Sequence, residues 1–267
     1  MRTAQRNTHL DPERLLAASA RFRGFVPEPE RIVRAGQAQA NPKIEAMKAV
    51  WKDAGDWDEF IAGEHPLQDT MLGALKGLAY TSKDVEEFSL SMACFQGTRD
   101  FSERAGVFLS ALINGSIDRS FIIHTRHLAR AVDYFGFLNS KEIIVDGDIG
   151  HSCGQRMAGG SIVVKGSAGG WCGNMMSGGA ITVHGSAGDF LGMRMESGMI
   201  RVLGGSGCYC GSSMKGGRLF LRGGALFGSG DEMRGGDIYI ETLDKLWHIR
   251  LDESGADKRT FRWLSKA

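Results

Sequence analysis

The chain has 267 residues, 42% of them hydrophobic and 24% charged, with a formal net charge of +1. That length holds a sizeable core, and the balanced charge excludes the basic footprint of a nucleic-acid binder. No stretch approaches the roughly 20 apolar residues of a spanning helix, and the start, MRTAQRNTHLDPERLLAASARF, lacks the apolar block of a secretory signal, so a cytoplasmic protein with no membrane partner is expected.

Taken in order, the front of the chain reads as helices. DPERLLAASARF starts at Asp11 with a capping carboxylate and a proline at the first helical position. Asn41-Pro42 repeats the device, with Ile44, Met47, Val50 and Trp51 at helical spacing. PLQDTMLGALKGL, SKDVEEFSLSMACF and SERAGVFLSALING predict three more helices. A bridging stretch follows, in which Ser120 to Ile123 reads as a strand and Arg126 to Tyr134 as a helix.

From Lys141 the chain changes character. Of its 38 glycines, 27 fall between Lys141 and Ile240, and the segments align without a gap at a period of 19. Gly147, Gly166, Gly185, Gly204 and Gly223 form one column. Gly154, Gly173, Gly192, Gly211 and Gly230 form a second, and Met157, Met176, Met195, Met214 and Met233 a third. Ile143, Ile162, Ile181, Ile200, Leu219 and Ile238 begin an apolar-variable-apolar strand pattern. A constant period with such columns is the signature of a solenoid, and 19 residues rich in β-branched side chains and glycine suit one coil of a β-helix. The glycines are expected at corners where positive φ or crowding forbids a Cβ, and the methionines as a buried ladder. The fold class is therefore α+β in two parts. A helical domain over 1–112 precedes a parallel, right-handed, single-stranded β-helix of about five to six coils over 113–267. A helix within about 113–140 is expected to cap one end and the tail, about 241–267, the other.

Chemistry is harder to find. The five cysteines are odd in number and few, which fits a reducing compartment better than a disulfide framework. Cys153, Cys172 and Cys210 share a column with Leu191; three thiols on one face could bind a soft metal, whereas the leucine points to inward packing. The preceding column holds Trp171, Phe190 and Tyr209, either stacked inside or forming an outward apolar strip that wants a partner. His124 and His127 stand three apart but lack a third ligand, so surface or capping roles suit them better. No nucleophile elbow, zincin motif or phosphate loop is present, and the G-x-G fragments lack the strand-turn-helix setting of a dinucleotide site.

The coil pattern, of which VVKGSAGGWCGNMMSGGAITVHGSAGDFLG is typical, resembles the GXGXG β-helix family. That family comprises the C-terminal domain of the large chain of glutamate synthase, the β-helical component of formylmethanofuran dehydrogenase, and a relative in the bacterial formyltransferase/hydrolase complex. INGSIDRS, with Asn114, Asp118 and Arg119, is similar to the lead-in on the glutamate synthase side, and the likeness covers roughly residues 113 to 240. The resemblance implies a structural piece that spaces or supports catalytic domains. The synthase's amidotransferase cysteine and its flavin and iron–sulfur region have no match here, and the helical front has no counterpart.

The function expected is a non-catalytic subunit of an oxidoreductase or formyl-transfer complex, with no cofactor of its own and other subunits, or a second copy, as partners. Two alternatives stand beside it. One is a stand-alone amide or ester hydrolase or formyl-group enzyme, with His151 beside Cys153, and His124, His127, Asp118 and Arg119, as candidates. The other is a binding module using the aromatic strip.

Overall fold

The computed structural model describes residues 41–53, 66–242, 245–251 and 259–264. The helix expected from Asp11 lies outside them. Four helices come first: α1 (Pro42–Asp53), α2 (Pro66–Ala74), α3 (Ser82–Ser91), which runs into a 3-10 turn (Met92–Phe95), and α4 (Phe101–Gly115). Each matches an apolar stripe in the sequence. Ile44, Met47 and Trp51 are the buried face of α1, as their spacing requires.

Helix α3 begins with a reciprocal cap. The Asp84 backbone N–H donates to the Thr81 hydroxyl at 3.4 Å, and the Thr81 N–H donates to the Asp84 carboxylate at 2.8 Å. The same carboxylate takes the Asn41 amide at 3.1 Å and the Lys43 ammonium at 3.0 Å, which ties the start of α1 to the start of α3. Burial alone opposes its ionisation, but the donors from Thr81, Asn41 and Lys43 outweigh it and hold the acid far below the usual carboxylate range. Underneath, Trp51 meets Phe95 and Phe108 with ring centroids 5.0 and 5.4 Å apart.

Nine strands then form one sheet in chain order. They are β1 (Ser120–His124), β2 (Glu142–Asp146), β3 (Ser161–Val164), β4 (Ala180–Val183), β5 (Met199–Val202), β6 (Arg218–Leu221), β7 (Asp237–Glu241), β8 (Leu246–Leu251) and β9 (Arg259–Leu264). From β1 to β7 all pairs are parallel, and Ile143 pairs with Ile162, Ile162 with Ile181 and Ile181 with Ile200. The 19-residue period is thus one coil of a β-solenoid of about six turns. A second line of contact runs through single bridges from Ile149 to Ala168, Ala187, Ser206 and Ala225.

The repeated columns have distinct physical causes. In the methionine column all five side chains are buried, and the first four reach the glycine of the next coil: a Cβ on Gly179 would lie 2.7 Å from the Met157 methyl. The Gly154 column has positive φ throughout, and at Gly173 (φ +69°) a Cβ would lie 2.3 Å from the Ile200 methyl. The Gly147 column differs. Only Gly147 has positive φ; the others are there because coil backbones nearly touch, as at Gly223, where a Cβ would meet the Gly204 carbonyl carbon at 2.3 Å.

Two expectations at the ends need separate answers. No helix forms over 126–134. That stretch is itself part of the first coil, 22 residues long, since Phe121 pairs with Ile143. Its backbone groups bond sideways to the next coil: Gly150 donates to the Val132 carbonyl, Tyr134 to that of His151 and Gly154 to that of Phe135. Backbone groups engaged in this way cannot close an i to i−4 helix. The helices cover this end instead, with His124 donating its N–H to the Ser89 hydroxyl at 3.1 Å and α4 lying so close that a Cβ on Gly106 would overlap the Asp133 carbonyl. Helices and coils share one contiguous core. At the other end β8 and β9 turn antiparallel, and Ile249 is buried under the last coil. Among the described residues no helix is long and apolar enough to cross a membrane.

Candidate functional site

The column Trp171, Phe190, Tyr209 lies outside the coil. Trp171 and Phe190 stack at 5.4 Å with 9° between planes, and Phe190 and Tyr209 repeat both values. His151 leans on the Trp171 end at 5.7 Å and 57°, and Phe227 closes the other end edge-on at 5.7 Å. Trp171 is 40% exposed, Phe227 72% and its neighbour Leu226 70%. The result is an apolar ridge about 15 Å long, three intervals of roughly strand-pair spacing from Trp171 to Phe227.

These rings sit on unusual backbone. Trp171, Phe190 and Tyr209 have φ of 57°, 58° and 57°, the left-handed region that favours glycine, and glycine does occupy the same place one coil later at Gly228. Holding a large residue there costs about 1–2 kcal/mol each. The two stacked pairs return about 0.5–1.5 kcal/mol each, less than the three residues lose, so stacking alone does not account for the ridge. Both faces of the Phe190 ring are covered within the stack. The continuous apolar ridge suits an apolar protein surface.

The thiols go the other way. Cys153, Cys172 and Cys210 are fully buried, with Leu191 in the same column, as small apolar residues of the core. The Cys172 thiol beside Cys153, together with burial, pushes the Cys153 thiol well above its ordinary range. Burial pushes Cys210 up to about 11. Such thiols are poor nucleophiles. Cys94 is exposed and Cys208 half-buried. Among the described residues no group of three His, Cys, Asp or Glu could hold a metal ion.

The other candidates do not converge. His151 is exposed, and its ring Nδ1 accepts from the Gly170 N–H at 3.1 Å, outside the wall that encloses Cys153. Asp118 accepts from the Ser82 N–H at 2.6 Å, and the Arg119 carbonyl accepts from the Glu142 N–H at 2.8 Å. His124 stands between Glu86 at 3.0 Å and Asp146 at 3.4 Å, joining α3 to the coils, and His127 is exposed in a turn. The bonds of His151, Asp118 and His124 hold the fold together, and a thiol as enclosed as Cys153 opens onto no cleft that these groups could share.

Sequence reasoning passed over a second aromatic stack on the outer face of the sheet. Phe220 and Tyr239 lie 4.9 Å apart and Tyr239 and His248 4.5 Å apart, with the Arg201 guanidinium 5.7 Å over the Phe220 ring. The signal was present in the middle positions of the strands, which read only as freely varying. No family model matches the chain, and no curated protein matches it.

Proposed function

We propose that this chain is a non-catalytic β-helix subunit of a cytoplasmic multi-subunit enzyme, in the manner of the GXGXG β-helix family: a piece of an oxidoreductase or formyl-transfer complex like glutamate synthase or formylmethanofuran dehydrogenase. The observation that carries the reading is the outward ridge of Trp171, Phe190 and Tyr209, the first exposed and the other two half-buried. A solenoid keeps its side chains at fixed positions because every coil is bonded to the next, so a ridge along it is a preorganised docking edge. Its stack contributes little net stability, which leaves recognition of another protein as the use for three large side chains on glycine-favouring backbone. The buried thiols supply core, and the wall supplies reach and stiffness.

The test is affinity purification of the tagged chain from its own cells. Enzyme subunits are expected in fixed stoichiometry, and Trp171→Asp, at an exposed position, should lose them while the melting temperature holds. Recovery of the chain alone, or turnover by the purified chain without partners, would contradict the reading.

A further inference from the structure

The outer face of the sheet is apolar at one end and aromatic at the other. Its middle column runs from Ile122 on β1 and Ile144 on β2, 41% and 40% exposed, through Val163, Thr182 and the exposed Arg201 on β3, β4 and β5, to Phe220 on β6 and Tyr239 on β7. Beside the isoleucines, α3 raises Lys83 and Glu86 as one wall of a groove of about 600 Å³ floored by Ile122, Ile144 and Val163. At the far end the rings of Phe220, Tyr239 and His248 stack on the same face, Phe220 and Tyr239 half-buried beside a smaller hollow of about 270 Å³. One end offers a groove over aliphatic side chains and the other a row of rings.

The flanking columns carry charge in a telling order. Two residues before the middle stand Glu142 on β2 and Arg218 on β6; two residues after it stand Asp146 at the end of β2 and Arg222 just past β6. With the strands of the two copies kept in line, two kinds of two-fold axis set this face against a second copy. An axis along the stack sets every rung on itself with the strand reversed, so Glu142 meets Asp146 and Arg218 meets Arg222, like on like. An axis along the strands through β4 keeps strand positions and reverses the rungs. Glu142 then faces Arg218, Asp146 faces Arg222, Ile144 faces Phe220 and Ile122 faces Tyr239. Of the two, only the second sets opposite charges together and aliphatic against aromatic side chains; Arg201 then lies over Val163, and Thr182 meets its own mate on the axis.

We infer that the chain forms a two-fold dimer through the outer face of its sheet, with β2 of one copy opposite β6 of the other and the Phe220–Tyr239 stack of each seated in the groove beside α3 of its mate. The Glu142–Arg218 contact is the sharpest part. Glu142 is exposed and holds only the Ser120 hydroxyl at 2.9 Å, and Arg218 is exposed with no ion-pair partner among the described residues. Asp146 already holds Lys165 at 3.7 Å, and Arg222 reaches Glu241 at 4.0 Å, so that second pair is shared within each copy. Six strand spacings by four residues give a plane of about 29 by 13 Å. Counted on both copies that is about 750 Å², below the roughly 1,200 Å² of a standard interface, so a weak, reversible dimer dissociating on the order of tens to hundreds of micromolar is expected. The dimer does not rest on the proposed role in a larger enzyme; a stand-alone enzyme could pair in the same way.

Sedimentation of the full chain across the micromolar range tests it. Glu142→Arg and Arg218→Glu should each weaken association roughly 10- to 100-fold, because two like-charged contacts form in every dimer. The double swap restores opposite charges and should recover the dimer to within a few-fold. Ile144→Asp should dissociate it without touching either charge. Circular dichroism and melting temperature check that each variant is folded. A wild-type chain that stays monomeric, single variants that associate as well as wild type, or a swap as weak as its parents would each overturn the proposal.

Discussion

Replacing Gly173 by alanine isolates the forces that set the coil. Its φ of +69° is a conformation that costs an L-residue about 1–2 kcal/mol. The added Cβ would also lie 2.3 Å from the Ile200 methyl, so that side chain must shift, while the Ile181 methyl at 3.5 Å stays in ordinary contact. Overpacking of this kind costs about 1–3 kcal/mol. Together these reach about 2–5 kcal/mol, a large fraction of the stability of an ordinary domain. Gly224 is the control. Its φ is +88°, yet a Cβ there meets nothing within 4 Å, so Gly224→Ala should lose only the backbone part, about 1–2 kcal/mol. Urea unfolding followed by circular dichroism measures both in one series. If the two variants lose the same stability, the claim that strand isoleucines pack onto the glycines of the preceding coil is refuted.

Thiol accessibility gives an independent check on the inward column. In the native protein a maleimide should label Cys94 and then Cys208, while Cys153, Cys172 and Cys210 stay unmodified until unfolding, as read by mass spectrometry of the digested chain. Fast native labelling of Cys153 would reopen an enzymatic reading. Acid stability should depend on Asp84. Burial opposes its ionisation, but the hydrogen bonds from Thr81, Asn41 and Lys43 prevail and depress its folded-state pKa. Its contribution is therefore complete above the unfolded value of about 3.9 and is lost as pH falls from there toward the folded value. Asp84→Asn should lower stability at pH 7 and flatten the decline below about pH 4; an unchanged acid slope would mean that other carboxylates set it.

The coils were legible because each one repeats the same packing problem. A methionine that must reach the next coil's glycine, and a glycine that must admit an isoleucine, recur every 19 residues and print themselves as columns. The described helices were legible for the usual reasons, Asn41-Pro42 at the start of one and apolar stripes along them, whereas the reciprocal Thr81–Asp84 cap of α3 emerged only in the structure. The first coil escaped notice because it is three residues longer and carries Asn139 where later coils have methionine, so its place in the stack shows only in bonds such as Tyr134 to His151. Leu191 revealed which way the cysteine column faces, since leucine and thiol exchange only in a core. The aromatic column gave no such hint: aromatic residues rarely adopt positive φ, and that backbone turn is what throws Trp171 outward. The charges on the outer sheet face were visible one by one, but their complementarity appears only when the rungs are placed in order and one copy is reversed against another.

The most direct test of the stacked-coil account is contact between successive coils in solution. With methionine methyls labelled, nuclear Overhauser spectra should join the Met157 methyl to the α-protons of Gly179, Met176 to Gly198, Met195 to Gly217 and Met214 to Gly236, a constant offset of 22 residues. A folded protein whose methionine methyls show no such contacts would contradict the solenoid, and with it every column interpreted above.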